Sequence, residues 1–397
     1  MLSDMTRWLV ALVVLAGHHA VLAQEPRPAW TINLAEVDDY RRFDQVNPRQ
    51  WTGQQGIRFI TPDEIAVYQI SRTNTLPPLK SRDDTGGAGS FFFRIAVLDA
   101  QDGHTIKKLS LPTDASLSSV IPAHDGNFIV RTGNVFYLYS SRFEQLASRS
   151  ISRSGATPYE DWQITGSPRR DQIALVHRQV FFDSSRRETG AHAEVEILNA
   201  DTLRTIAKYR TQHLASWSLA EHFLIATNPE TDQLGQFGIL DFNGDWKKVT
   251  PSAQDTNLTR CPYRMKVVSD DVLVIYGCDG FLLISVSGKE LFSQTGGTNT
   301  HFPSVMNAGD YLAVESLDLA TPEALPAPSN GIPGVFLPAP ERQWRIHVYD
   351  LKRLNEFQQN SKVEIMSVTS RNPYYDVSIM GALAVIEGDK LKLYRAQ

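Results

Sequence analysis

The sequence predicts an all-β protein, a seven-bladed β-propeller with four-stranded blades. Three observations lead to this fold class. An alternating apolar run that ends at a turn occurs seven times, and helical periodicity is nearly absent. Four of the six intervals between copies are 41–45 residues, within the about 40–50 residues of one blade, and the other two, of 59 and 65 residues, contain insertions. The seven runs are 95–99, 136–140, 195–199, 237–241, 281–285, 346–350 and 391–395.

Each run is interpreted as the third strand of a blade. A more apolar run precedes it and is typical of a second strand that packs on both faces. These runs are 65–68, 128–130, 173–176, 223–226, 272–275, 311–314 and 383–386. A turn and a fourth strand follow, as at 105–109 after Asp102-Gly103.

The two ends of the chain complement each other. The sequence stops directly after the third strand of the last blade, and 30–34 is an alternating run without a blade. We expect this run to complete the last blade as its outer strand, which closes the ring and protects two edges. The alternative is a loosely ordered tail.

Two turn sequences resemble those of the broad quinoprotein-like and YVTN-type propeller superfamily, whose third strands end in V-x-D-x-x-T-G. They are VLDAQDG at 97–103 and ILNADTL at 197–203. The resemblance implies the propeller architecture over residues 24–397, with a WD40-like repeat length. The tryptophan-docking repeat, the C-x-x-C-H haem motif and the G-H and W-D signatures are missing, so no cofactor or redox activity is implied.

Residues 1–23 have the pattern of a secretory signal peptide. Arg7 precedes the apolar run 8–17, and small residues at 21–23 precede Gln24. The run is too short for a membrane anchor. We therefore expect a single domain, residues 24–397, that is secreted or periplasmic and has no membrane span.

Export permits a disulfide between Cys261 and Cys278, which lie equidistant from the predicted turn at 269–270. Two buried thiols are the alternative. Asn257 begins a glycosylation sequon that matters only in a eukaryote. A net charge of −5 with mixed signs argues against a nucleic-acid partner. The basic pair Arg169-Arg170 is interpreted as a solvent-facing turn.

The long insertions 72–90, 181–190 and 318–342 all join a second strand to a third strand. In a propeller these connections share one face with the crossovers between blades, which we call the loop face. The turns between first and second strands lie on the opposite turn face. Functional residues concentrate on variable loops held by a rigid scaffold, so the loop face is the predicted binding face.

Ligand-binding candidates lie at crossovers on the loop face, where aromatic and polar residues mix. They are Tyr159, Trp162, His213, Arg264 and His301. His213 and His301 occupy equivalent positions two blades apart, which suits a metal ion or a general base, or two histidines that cap strand ends. No metal site is assigned.

The sequence favours a binding or interaction module for an unknown protein or small-molecule ligand over an enzyme. A hydrolase or lyase at the channel mouth is the alternative, and a purely structural domain is a third.

Overall fold

The computed structural model describes residues 26–38, 52–72, 91–113, 118–132, 135–151, 160–182, 188–211, 217–227, 237–249, 264–277, 280–296, 300–318, 343–354, 363–371 and 374–396. These residues form seven antiparallel sheets of four strands each, arranged in a ring. The predicted seven-bladed propeller is confirmed.

The strands are numbered β1–β28 along the chain, and each blade is written from its centre outward. Blade 1 contains β2 (Thr52–Thr61), β3 (Glu64–Arg72), β4 (Phe91–Asp99) and β5 (Thr105–Thr113). Blade 2 contains β6 (Ser118–Pro122), β7 (Phe128–Thr132), β8 (Val135–Tyr139) and β9 (Gln145–Ser150). Blade 3 contains β10 (Glu160–Gly166), β11 (Gln172–Phe182), β12 (Glu188–Asn199) and β13 (Thr205–Thr211). Blade 4 contains β14 (Trp217–Leu219), β15 (Phe223–Thr227), β16 (Phe237–Asp241) and β17 (Trp246–Val249).

Blade 5 contains β18 (Arg264–Ser269), β19 (Val272–Tyr276), β20 (Gly280–Ser285) and β21 (Glu290–Thr295). Blade 6 contains β22 (Thr300–Ala308), β23 (Tyr311–Asp318), β24 (Gln343–Asp350) and β25 (Glu364–Ser370). Blade 7 contains β26 (Tyr374–Val377), β27 (Leu383–Glu387), β28 (Lys390–Tyr394) and β1 (Trp30–Asn33). One short helix, α1 (Ala35–Asp38), follows β1, and a 3-10 turn spans His124–Gly126.

The core consists of seven apolar clusters, one between each pair of neighbouring blades. Second strands supply many of these side chains because both of their faces meet a neighbouring blade. All five residues of β7 are buried, for example. This packing explains why the second strands are the most apolar runs of the sequence.

The N-terminal strand closes the ring as predicted. β1 pairs with β28 as the outer strand of blade 7, with Trp30 opposite Leu393. The Trp30 indole Nε1 donates a hydrogen bond to the Ala100 carbonyl of blade 1 at 2.9 Å. Leu34, directly after β1, is fully buried in the cluster between blades 7 and 1.

The three predicted insertions join the expected strands, β3 to β4, β11 to β12 and β23 to β24. The second is shorter than predicted, because β11 continues to Phe182 and β12 begins at Glu188, which makes half of 181–190 part of the sheet. Their central residues, 73–90, 183–187 and 319–342, lie outside the described part of the chain, as does the predicted signal peptide. In the described residues no helix is long and apolar enough to cross a membrane.

The hairpin between the two cysteines differs from its prediction by one residue. The turn lies at Asp270-Asp271, because Ser269 pairs with Val272, and not at the predicted 269–270. A bulge between Val267 and Ser269 then offsets part of this shift, so Arg264 lies opposite Tyr276 where the prediction places Ile275. A bulge adds a residue to one strand, and the alternating pattern alone does not reveal it. Cys261 and Cys278 lie outside the described residues, so their disulfide stays a prediction.

Candidate functional site

Seven side chains, one from the innermost strand of each blade, surround the central channel at equivalent positions. Their strand partners show the equivalence, since Arg58 lies opposite Ala66, Lys266 opposite Val274 and Asp376 opposite Ala384. The seven line a cavity of about 350 Å³, and we call them the inner ring. They are Arg58, Ile121, Thr165, Ser218, Lys266, Met306 and Asp376.

The charged members of the inner ring are tied to the backbone. Arg58 Nη1 donates to the carbonyl of Ile57 at 2.9 Å, and Lys266 Nζ donates to that of Val305 at 3.2 Å. Asp376 Oδ2 accepts a hydrogen bond from the Phe59 amide at 2.8 Å and so links blade 7 to blade 1.

A third cation, Arg170, enters the channel from the turn between β10 and β11. Its Nη1 donates to the Ile60 carbonyl at 2.7 Å, so its side chain bridges blades 3 and 1 at the turn-face end of the channel. Arg170 has a φ of +68°. With this backbone conformation its side chain turns into the channel, whereas the side chain of Arg169 is 72% exposed to solvent. The prediction of a solvent-facing basic pair is correct for Arg169 and wrong for Arg170.

The electrostatics agree with three like charges near one another. Burial, and then the charge of Arg58, lower the pKa of Lys266 to about 8, although Asp376 opposes this shift. Burial, with a contribution from Arg58, also lowers the pKa of Arg170. The three cations are partly exposed, because they face the space inside the channel.

The turn-face end of the channel widens into a bowl of about 890 Å³. Turns of blades 1, 2, 3, 6 and 7 line it. Arg170 and Pro168 line both the bowl and the channel cavity, so the Arg170 side chain stands at the boundary between them.

Three of the five sequence-predicted ligand residues are described by the structure, and they lie near the loop-face ends of the innermost strands β10, β18 and β22. Arg264 begins β18 two residues before Lys266, on the same side of the strand, and its Nη1 donates to the Pro303 carbonyl at 3.5 Å. His301 lies on β22 of the next blade, opposite Leu317. The backbone of Trp162 lies in β10 opposite His177. Tyr159 and His213 lie outside the described residues.

Across the described part of the chain, one group of three side chains has the geometry for a metal ion, and it does not include His301. It consists of Asp99, Asp102 and His104 at the turn after β4. His104 Nδ1 is already hydrogen-bonded to Asp102 Oδ1 at 2.6 Å, and Asp99 Oδ1 accepts a hydrogen bond from the Gln101 amide. This group is a hydrogen-bonded surface turn.

A serine, a histidine and a glutamate also meet within blade 6. Ser316 Oγ lies 3.1 Å from His347 Nε2, and His347 Nδ1 lies 3.4 Å from Glu364 Oε2. Hydrolases use this order of groups, but the nucleophile must be reachable by the substrate. Ser316 is only 4% exposed, so the network ties three strands together and presents no accessible nucleophile.

Sequence reasoning missed the inner-ring charges. A signal for two of them is present, since Arg58 and Lys266 interrupt otherwise apolar stretches, Ile57-Arg58-Phe59 and Met265-Lys266-Val267. A lone charge in the strand that precedes the second strand of a blade points to the channel.

Comparison with solved structures supports the architecture. The WD40 domain of Neurospora crassa Pan2 superposes with a TM-score of 0.51 at 10% identity, over 95% of this chain and 97% of that one. The uncomplexed acylaminoacyl peptidase of Pyrococcus horikoshii gives a TM-score of 0.52 at 9% identity, and 88% of this chain covers 52% of that one. Similarity at this identity shows the fold alone. No protein-family model and no curated protein matches the sequence.

Proposed function

We propose that this protein is an exported binding module that takes its ligand in the central channel, through the loop face. The observation that carries the proposal is the polar cavity of about 350 Å³ to which all seven innermost strands contribute. A concave site with a few convergent polar groups is the usual form of a ligand pocket.

Entry from the loop face is supported by the two ends of the channel. At the turn-face end, the side chain of Arg170 bridges blades 3 and 1 and narrows the opening. At the loop-face end, the predicted ligand residue Arg264 lies two residues before Lys266 on β18. Side chains two residues apart on a strand point to the same side, so Arg264 lies next to the inner ring in the direction of the loop face. The connections from β3 to β4, from β11 to β12 and from β23 to β24 leave from that same end.

Two variants test which face binds. One replaces 319–342 with a short Gly-Ser linker, and the control is Met380→Asp, which alters a 71% exposed side chain on the turn face. Protein and small molecules that copurify with the wild type from its native source are identified by mass spectrometry. The bound molecule should be lost from the linker variant and kept by Met380→Asp; the reverse pattern assigns binding to the turn face and overturns the proposal.

Export has its own test. The mature protein should begin at Gln24 and be recovered outside the cytoplasm, as N-terminal sequencing of the native protein will determine. A native chain that retains Met1 and stays in the cytoplasm contradicts the proposal.

A further inference from the structure

We propose that the central channel binds a compact oxyanion with two negative charges, such as a phosphate group, between Arg58, Arg170 and Lys266. This inference rests on the proposed function for its location and adds the chemical class of the ligand. It is argued from the charge, the hydrogen bonds and the size of the cavity.

The first argument is the excess of positive charge. Four cations, Arg58, Arg131, Arg170 and Lys266, line the cavity, and Asp376 is the one carboxylate among its lining residues. Arg58, Arg170 and Lys266 donate to the backbone carbonyls of Ile57, Ile60 and Val305. A carbonyl satisfies an N–H group but does not neutralise its charge, so the channel retains a net positive charge that an anion would balance.

The second argument is the supply of neutral donors at the same depth. The Ser218 hydroxyl accepts the Val267 amide at 3.0 Å, which leaves its own proton to donate. Ser119 Oγ also lines the cavity and is buried without a hydrogen-bond partner in the described structure. A buried polar atom of this kind is rare in a native protein and is satisfied by a ligand that brings an oxygen.

The third argument is electrostatic coupling across the channel. Arg58 of blade 1 lowers the pKa of both Lys266 of blade 5 and Arg170 of blade 3, while Asp376 raises the pKa of both, so the charges of the channel act on one another across it. An anion placed between the cations would reverse the effect of Arg58 by favouring their charged forms.

The size of the cavity restricts the ligand. A volume of about 350 Å³ is near the lower end of ligand pockets, so the anionic group must be compact. The lining is also more polar than a typical drug-sized pocket, since charged residues, serines, a threonine and an asparagine surround it. A phosphate, free or at the end of a larger molecule, has the required size, charge and acceptor geometry.

Calorimetry and thermal melting with inorganic phosphate test the proposal, with chloride at equal ionic strength as the reference. The variant is Lys266→Met and the matched control is Lys248→Met, which removes the same charge from an exposed position on β17. Phosphate should raise the Tm of the wild type and of Lys248→Met equally. Its Kd should increase about tenfold to one-hundredfold in Lys266→Met, as expected for loss of one charged hydrogen bond.

Asp376→Asn tests the same charge balance in the opposite direction. It removes the carboxylate and retains an oxygen for the Phe59 amide, so phosphate should bind more tightly than to the wild type. This variant keeps the test decisive if Lys266→Met fails to fold. A phosphate monoester distinguishes the two sources of the anion, because comparable or tighter binding indicates the head of a larger ligand and weaker binding a free ion.

Equal phosphate affinity in the wild type, Lys266→Met and Asp376→Asn would overturn the inference, as would no effect beyond that of chloride. The phosphate test and the test of which face binds the ligand can fail independently of each other. The Gly-Ser linker variant leaves the inner ring intact and should bind phosphate like the wild type, even if it loses a larger partner.

Discussion

Closure of the ring by the N-terminal strand can be broken at a single side chain. Leu34 follows β1, is 0% exposed and packs in the cluster that joins blade 7 to blade 1. Its amide also donates to the Asp389 carbonyl at 2.7 Å, so the backbone is fixed beside the side chain. Leu34→Ala keeps this hydrogen bond and removes only apolar contacts.

The expected loss follows from complete burial. A buried leucine replaced by alanine loses its transfer free energy and leaves a cavity, which together amount to about 2–5 kcal/mol. We expect about 3 kcal/mol for Leu34, because β1 is a short edge strand that can relax into part of the space. The change should lower the urea midpoint without altering the slope of the transition.

Leu146→Ala is the matched control, since it makes the same chemical change at a 53% exposed position on β9. It should alter the free energy of unfolding by no more than about 0.5 kcal/mol. The closure reasoning is refuted if the two variants unfold at the same urea concentration. Deletion of residues 29–35, which removes the closing strand entirely, should be more damaging than Leu34→Ala.

Three further predictions concern buried charge and the cysteines. Burial lowers the pKa of Lys266 from 10.5 to about 8, so the free energy of unfolding of the wild type should rise as the pH increases between these values. Lys266→Met should abolish this rise and, in urea unfolding at pH 7, increase the free energy of unfolding by up to about 3 kcal/mol. Burial raises the pKa of Glu315 from 4.5 to about 7, so stability should fall as the pH rises through this range. Glu315→Gln should therefore stabilise the protein at pH 8 and have little effect at pH 4; an equal effect at both contradicts the assignment. Under non-reducing denaturation Cys261 and Cys278 should resist alkylation, and two added groups by mass spectrometry would disprove the disulfide.

The sequence was sufficient for the architecture because a propeller repeats one hydrophobic pattern. Each second strand meets a neighbouring blade on both faces, so runs such as 128–130 are apolar throughout and recur at the blade period. The closing strand was also predictable. The alternating run at 30–34 had no blade of its own and the last blade lacked one strand, so the two were expected to pair, as β1 and β28 do.

The candidate site was less predictable because it depends on contacts between blades. The bridge from Arg170 to Ile60 joins residues far apart in sequence, and it requires the positive φ of an arginine. A local pattern interprets such a residue as part of a surface turn. The bulge after Val267 was equally hidden from the sequence, because no residue of the hairpin marks the position at which the pairing shifts.

The inner ring itself indicates why its charges need an explanation beyond folding. Blades 2 and 6 place Ile121 and Met306 at the position that Arg58 and Lys266 occupy in blades 1 and 5. The architecture therefore accepts apolar side chains at this depth. Replacing buried charges by apolar residues is often neutral or stabilising, so folding alone does not favour the two cations. A ligand of opposite charge supplies the free energy that their burial lacks, and this is why the channel is the part of the propeller to test first.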